Sequence, residues 1–248
     1  MIILGITGPI GHGKSTCASS IVAARPGSGL YESHGLVAEA ANALNKQLAV
    51  PFAPSDIDAI NLWLTGLPQV IADVLHVKSD FAKLRIIKQN VLAHPIEYEK
   101  LFLYLHNVQR DFSITNTSIT DSNKEIYRPL MQWLGGYLVQ HVDQGIWYNE
   151  LYRRAQEHPE APFAIFSGLR YPNDANIVRA AGGKIIKVFR SNMPQTDVLD
   201  PTERERGSIR FDVQLDNNGS IQQLQEACMR LVEDAENQQL KPLYKAVE

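Results

Sequence analysis

Apolar positions along the chain fall into two rhythms, and the change between them divides the sequence. Residues 1–7 form a short apolar run without alternation, the pattern of a strand buried on both faces of a parallel sheet. A glycine-rich turn follows, and then a helical spacing through Cys17, Ile21 and Val22 that ends near Arg25-Pro26-Gly27. Residues 30–33 read as a second short strand, and 34–47 as a helix with Leu36, Val37, Ala40, Ala41 and Leu44 on one side. From 50 to 123 only the helical spacing recurs, in Ile57, Ile60 and Leu64, then Val70, Val74 and Val77, and later Leu101, Tyr104, Leu105 and Val108. Pro51, Pro54, Pro68 and Pro95 cut this stretch into short helices. Residues 113–123 are polar and read as a surface loop.

The alternation of helix and strand resumes at Glu125. Helices are expected over 125–139 and 143–157, a strand over 163–167, and a helix over 173–181 that stops at Gly182-Gly183. A strand at 184–189, a polar loop or lid at 190–210, a strand at 211–215 and a helix at 220–237 complete the chain. Strand and helix alternating around a helical stretch point to an α/β fold, a parallel sheet flanked by helices. The expected division is a core of 1–49 and 124–248 with a mostly helical insertion at 50–123, which would hold an acceptor.

The 248 residues are 44% hydrophobic and 21% charged, ordinary values for a globular protein with a core that needs no staples. Lys and Arg number 24 against 27 Asp and Glu, a formal charge of −3. That balance supplies no general field for nucleic acid. The two cysteines, Cys17 and Cys228, form no disulfide framework and fit a reducing, cytoplasmic compartment. No apolar run reaches membrane-spanning length, and residues 1–7 carry no leader pattern, so no membrane partner is expected.

The strongest chemical signal is Gly8-Pro9-Ile10-Gly11-His12-Gly13-Lys14-Ser15, which satisfies G-x-x-x-x-G-K-[ST] between a buried strand and a helix. Glycines let the backbone wrap phosphates with its N–H groups turned inward, and the helix start favours negative charge. Lys14 then stands at the β- and γ-phosphates of ATP, the Ser15 hydroxyl is a ligand for Mg²⁺, and Thr16 reaches a further phosphate. Gly8, Gly11, His12 and Gly13 complete the donor site, with the His12 side chain expected to face solvent. The apolar run at 163–166 ends in Ser167-Gly168 rather than aspartate, and no guanine-specific Asn-Lys-x-Asp string occurs. A small chain with a helical insertion and an arginine-bearing loop suits a kinase of a small phosphorylated acceptor.

The C-terminal half resembles the bacteriophage deoxynucleoside monophosphate kinases, within the P-loop nucleotide kinase and dephospho-coenzyme A kinase group. Arg128-Pro129-Leu130-Met131-Gln132-Trp133-Leu134-Gly135, with Asp143 and Ile146-Trp147, is similar to the family's R-x-L-x-Q-x-L-G helix and its continuation. Ser167-Gly168-Leu169-Arg170-Tyr171-Pro172-Asn173-Asp174-Ala175 resembles its D-x-R-[FY]-P-N-E-A segment. Thr202-Glu203 and Asn217-Asn218-Gly219-Ser220 resemble the H-x-[ST]-E loop and the element after the last strand. The resemblance implies a P-loop NTPase three-layer fold and ATP-dependent phosphorylation of a (deoxy)nucleoside monophosphate in the cytoplasm, a host's cytoplasm if phage-encoded. It implies that Arg128, Gln132, Trp147 and Arg170 address the acceptor and that Arg128 and Arg170 join Lys14 in catalysis. Arg204, Arg206 and Arg210 become lid cations, and Asn217 lies near the donor base.

Three positions depart from the family: Gly168 for its strand-end aspartate, Pro129 for the second residue of an Arg-Arg pair, and Asp200 for a histidine. An anionic acceptor oxygen needs no general base, whereas an alcohol does, so loss of that aspartate favours a monophosphate acceptor. Two alternatives stand beside this reading. One is a related kinase acting on hydroxymethylated pyrimidines in DNA, with Lys78, Lys83, Arg85 and Lys88 as its basic groove. The other is a nucleotide-binding protein without catalysis. The partners expected are a nucleotide donor and a small nucleotide acceptor, and a homodimer is left open.

Overall fold

The computed structural model describes residues 1–76, 98–120, 122–193 and 205–246. The chain forms two compact units, 1–33 with 148–248 and 34–147.

The first unit is built on a six-stranded sheet of β1 (Ile2–Thr7), β2 (Gly29–Glu32), β3 (Phe163–Ser167), β4 (Lys184–Phe189), β5 (Val213–Asp216) and β6 (Leu243–Lys245). The strands lie in the order β2-β3-β1-β4-β5-β6, and every pairing is parallel. β1 therefore sits centrally, with Ile6 in register with Ser167 on one side and Ile186 on the other. Both faces of β1 and β3 are covered, which is why their sequences are uninterrupted apolar runs.

One face is covered by α1 (Lys14–Ala24) and α9 (Ile221–Glu236). Leu4, Ile6, Ile165, Ile186, Val188 and Leu215 of the strands pack there against Ile21, Leu224, Leu231 and Val232 of the two helices. Cys17 and Cys228 meet in this layer with their sulfurs 3.1 Å apart, both as free thiols. The hydrogen bond from Cys228 and burial push the Cys17 thiol up, so it packs rather than reacts. The opposite face carries α8 (Pro172–Ala180), whose Val178 lies against Gly5 and Gly183, and the part of α7 (Ile146–Gln156) from Tyr148 onward. Tyr148 donates its hydroxyl to the Ser167 carbonyl, and Tyr152 lies 6.5 Å from the Phe166 ring. The result is the α/β three-layer arrangement of P-loop nucleotide-binding proteins, as expected.

The second unit is helical: most of α2 (Ser33–Asn45), α3 (Ile57–Leu64), α4 (Leu67–Val74), α5 (Glu99–Arg110) and α6 (Lys124–His141). α5 packs along α6, which is why 124–147 belongs with the helices of 34–123 rather than with the sheet. The division thus falls at 33/34 and 147/148, not at 49/50 and 123/124. A buried aromatic cluster joins these two helices across Tyr98, with Trp133 and Tyr137 at 5.8 and 5.4 Å. The polar stretch read as a surface loop begins as a 3₁₀ helix, Phe112–Asn116. Its Ile114 and Thr115 are buried, and the Ile114 carbonyl accepts from Tyr127 and Asn45.

Candidate functional site

In a parallel sheet the carboxyl ends of the strands and the amino ends of the following helices converge at one edge, the usual place for a ligand. Here that edge collects the β1–α1 loop, the β3–α8 loop and the residues after β4 and β5.

The β1–α1 loop is shaped by its glycines. Gly8 has φ +137°, and a Cβ on it would stand 2.2 Å from the Val188 carbonyl oxygen. Gly13, the residue before α1, has φ +96°, and a Cβ there would stand 2.4 Å from Nδ2 of Asn217. Only glycine fits these two positions, because conformation and space both forbid a side chain. The loop is then tied to the neighbouring strand ends. The Arg190 N–H donates to Nδ1 of His12 at 2.9 Å, and the Asn217 amide donates to the His12 carbonyl at 3.0 Å. Lys14 turns its ammonium to the Pro9 carbonyl at 2.6 Å, across the mouth of the loop. No side chain among the described residues caps the start of α1, and its first turn holds no acid.

His12 does not face solvent. It is 1% exposed, with its ring 5.3 Å from that of Phe189. A histidine in a glycine-rich loop reads as solvated only while the strand beside it is unknown. Asn217, expected near the donor base, spends its amide on holding the loop and is 5% exposed.

The β3–α8 loop carries Arg170. Gly168 and Leu169 both donate to the Ile6 carbonyl, at 3.0 and 3.1 Å, and Thr7 donates its hydroxyl to the Leu169 carbonyl. The N–H groups of Arg170 and Tyr171 both donate to Oδ2 of Asp174 at 2.9 Å. The Arg170 side chain is exposed at the end of this fixed turn. Asp174 is 3% exposed, and burial pushes its carboxyl up to about 6 against the pull of these hydrogen bonds. Gly168 has φ +80°, and no atom of the described residues beyond its chain neighbours lies within 4 Å of where its Cβ would be.

The remaining expected residues divide as follows. Arg128 and Gln132 are exposed on α6, and the Arg128 guanidinium forks onto the Glu125 carboxylate, with Nε to Oε2 at 2.6 Å. Trp147 is buried at 4% exposure, and its indole N–H has no hydrogen-bond partner among the described residues. Arg206 is half-buried, and Arg210 is exposed with its carbonyl accepting from Arg179. Arg204, and the basic residues Lys78, Lys83, Arg85 and Lys88, lie outside the described residues. Among the described residues no group of three or more His, Cys, Asp or Glu is gathered for a metal, and no helix is long and apolar enough to cross a membrane.

The profile of the deoxynucleotide monophosphate kinase family matches residues 68–228, more than half of the chain. The chain belongs to this family. The matched segment holds Arg128, Gln132, Trp147, Arg170 and Asn217, and it begins after the glycine-rich loop. A protein of Acanthamoeba polyphaga mimivirus, provisionally named a deoxynucleotide monophosphate kinase, is 30% identical over 91 residues. The aligned part is 36% of this chain and spans just 45% of that protein.

Asp174 and Arg190 carry no role in the sequence reading. Asp174 stood in a motif without an assignment; its place two residues into a helix that follows a buried strand is the signal that could have marked it as a cap. Arg190 acts through its main chain, which no sequence pattern announces.

Proposed function

We propose that this protein is an ATP-dependent phosphotransferase that converts a (deoxy)nucleoside monophosphate to the diphosphate. The observation that carries the reading is the β1–α1 loop. Its glycine conformations turn the chain around a small volume, and it ends at a helix start that no side chain among the described residues caps. A helix start turns its first N–H groups and the positive end of the helix dipole toward an anion. Lys14 adds a full charge at the same place and would leave the Pro9 carbonyl for a phosphate oxygen.

The donor set fits Mg²⁺ in kind. Ser15 offers one hydroxyl oxygen, and Mg²⁺ takes its other positions from phosphates and water. When bound, the ion would neutralise charge on the donor phosphates. Lys14 and the α1 amides stabilise the charge that develops between the β- and γ-phosphates. Arg170, exposed on a rigid turn, is suited to a monophosphate dianion through a bidentate fork. A monophosphate oxygen is already anionic, so the open space beside Gly168 leaves the transfer without an essential base. Arg128, Gln132 and Trp147 are proposed to complete acceptor recognition and Arg204, Arg206 and Arg210 to close over the donor. Arg128 can leave Glu125 at little cost, since both are exposed.

The test is a panel of nucleoside and deoxynucleoside monophosphates with ATP, with and without Mg²⁺, read by diphosphate formation. Turnover on at least one monophosphate and none on the matching nucleoside is the expected result. Transfer to nucleosides or to hydroxymethylated DNA alone would overturn the acceptor class. Binding of ATP without any transfer would overturn the enzyme.

A further inference from the structure

The β3–α8 loop spends its backbone on the protein itself. Tyr148 donates to the Ser167 carbonyl at 3.2 Å, the Gly168 and Leu169 N–H groups share the Ile6 carbonyl, and Thr7 holds the Leu169 carbonyl. The next two N–H groups, of Arg170 and Tyr171, converge on one oxygen of Asp174. A carboxylate therefore already fills the amino end of α8, where an external anion would otherwise bind. What the loop still offers to a ligand is the Arg170 side chain.

We propose that Asp174 is the positioning residue of Arg170: its buried carboxylate fixes the backbone from which the guanidinium reaches the acceptor phosphate. This rests on Arg170 binding that phosphate, as proposed above. A cap at an exposed helix start is a cheap device, and serine, threonine or exposed aspartate supplies it. Asp174 instead sits within the fold, where burying a charge is costly. Among the described residues, the groups that act on it are the Arg170 guanidinium and, from α7, the Tyr148 hydroxyl, which also interacts with Ser33 and Glu32. The Arg170 cation is the one charge here that favours the ionised carboxylate. Anchor and guanidinium thus support each other, so loss of the carboxylate reaches the acceptor site through Arg170 alone.

A double-mutant cycle reads this directly. Asp174→Ala, Arg170→Ala and the pair are compared with the parent enzyme on the monophosphate it phosphorylates best. Asp174→Ala is expected to lower kcat/KM about tenfold, through the KM for the acceptor, while the KM for ATP stays unchanged. In the Arg170→Ala background the same change should cost nothing further, because the residue it acts through is gone. Asp174→Asn, which keeps an acceptor oxygen, should restore most of the loss. Additive losses, or an equal rise in both KM values, would overturn the proposal. If no monophosphate is phosphorylated, the functional reading fails, and amide hydrogen exchange still decides the anchor. Exchange at Arg170 and Tyr171 should rise about tenfold or more in Asp174→Ala and not in Asp174→Asn. Unchanged exchange would overturn it. Should the alanine variant not fold, Asp174→Ser takes its place in both measurements, since its shorter side chain falls back from at least one of the two N–H groups.

Discussion

Gly8→Ala puts the wedge between the β1–α1 loop and β4 to a direct test. The added methyl would begin 2.2 Å from the Val188 carbonyl oxygen and 3.2 Å from its carbon. Contact at normal distance requires the two backbones to part by about 1 Å. Neither side yields easily, because β1 and β4 are hydrogen-bonded in register at Ile6–Ile186 and Thr7–Lys187, immediately before the clash. The φ of +137° adds a second penalty. Conformational strain of about 1–3 kcal/mol and overpacking of about 1–3 kcal/mol together give about 2–6 kcal/mol. For a chain of this size each kcal/mol lowers Tm by about 2–4 °C, so a fall of roughly 4–24 °C is expected. Thermal unfolding by circular dichroism and titration with a non-hydrolysable ATP analogue are the assays. The analogue's affinity should fall along with Tm, because the clash opens the loop that holds it. Gly136→Ala is the control: it lies in α6 with nothing within 4 Å, and alanine there should be neutral or stabilising by about 0.5–1 kcal/mol. A Gly8→Ala protein that melts with the parent and binds the analogue equally well would refute the wedge.

Lys14→Ala should fold normally and lose transfer by on the order of 10²-fold or more, measured as diphosphate formed, since it removes one charge from the developing transition state. Gly168→Ala meets only the cost of a positive φ, about 1 kcal/mol, and should lower Tm by a few degrees at most; a loss as large as that of Gly8→Ala would mean the space beside it is filled. Asp174 holds its proton more tightly in the folded chain than in the unfolded one, with its carboxyl near 6 against an ordinary 3.8. Its contribution to stability is therefore fullest below the ordinary value and is lost as pH rises through about 6. In urea unfolding, Asp174→Asn should gain on the parent by about 3 kcal/mol between pH 3 and pH 7. A difference independent of pH would show that the carboxyl is not perturbed.

The parts of this molecule that were legible in sequence are those whose physics is local. β1, the glycine-rich turn and α1 follow one another within 24 residues, and each announces itself by an apolar run, by glycines and by helical spacing. The stop at Gly182 is equally local: Gly182 takes φ +81°, and Gly183 returns its N–H to the Val178 carbonyl. What escaped depends on partners far along the chain. His12 is buried because the chain leaving β4 passes beside it, at Arg190, 178 positions later. β6 has three residues and buries only Tyr244 of them, too short for a period to show. The boundary of the helical unit is set by α5 packing on α6, across a polar stretch that hides its buried Ile114 and Thr115. Arg128 and Gln132 are legible as a pair one turn apart, yet the Glu125 that occupies Arg128 is also one turn away, and sequence alone gives no reason to choose between them.

Two helices of the sheet-bearing unit begin at the carboxyl ends of neighbouring central strands, and their amino ends are finished in opposite ways. α8 receives a carboxylate of its own, Asp174, with two main-chain N–H groups on a single oxygen. α1 receives none among the described residues: Gly13 precedes it, no described side chain caps it, and no acid lies in its first turn. An uncapped start costs a small domain stability, since a good cap is worth about 0.5–2 kcal/mol. α9 is capped through the Ser220–Gln223 box, whereas α4, α5 and α6 start, like α1, without a side-chain cap among the described residues. The cost at α1 is offset when an anion completes the helix, and the glycines and Lys14 in the same turn fit that anion to a phosphate chain. At α8 the N–H groups of Arg170 and Tyr171 are already taken by Asp174, which leaves the Arg170 side chain as the charged group for an anion there. Under the proposed function, the donor phosphates belong to the α1 start and the acceptor phosphate to Arg170. A transfer between two phosphates calls for a positive group at each of them.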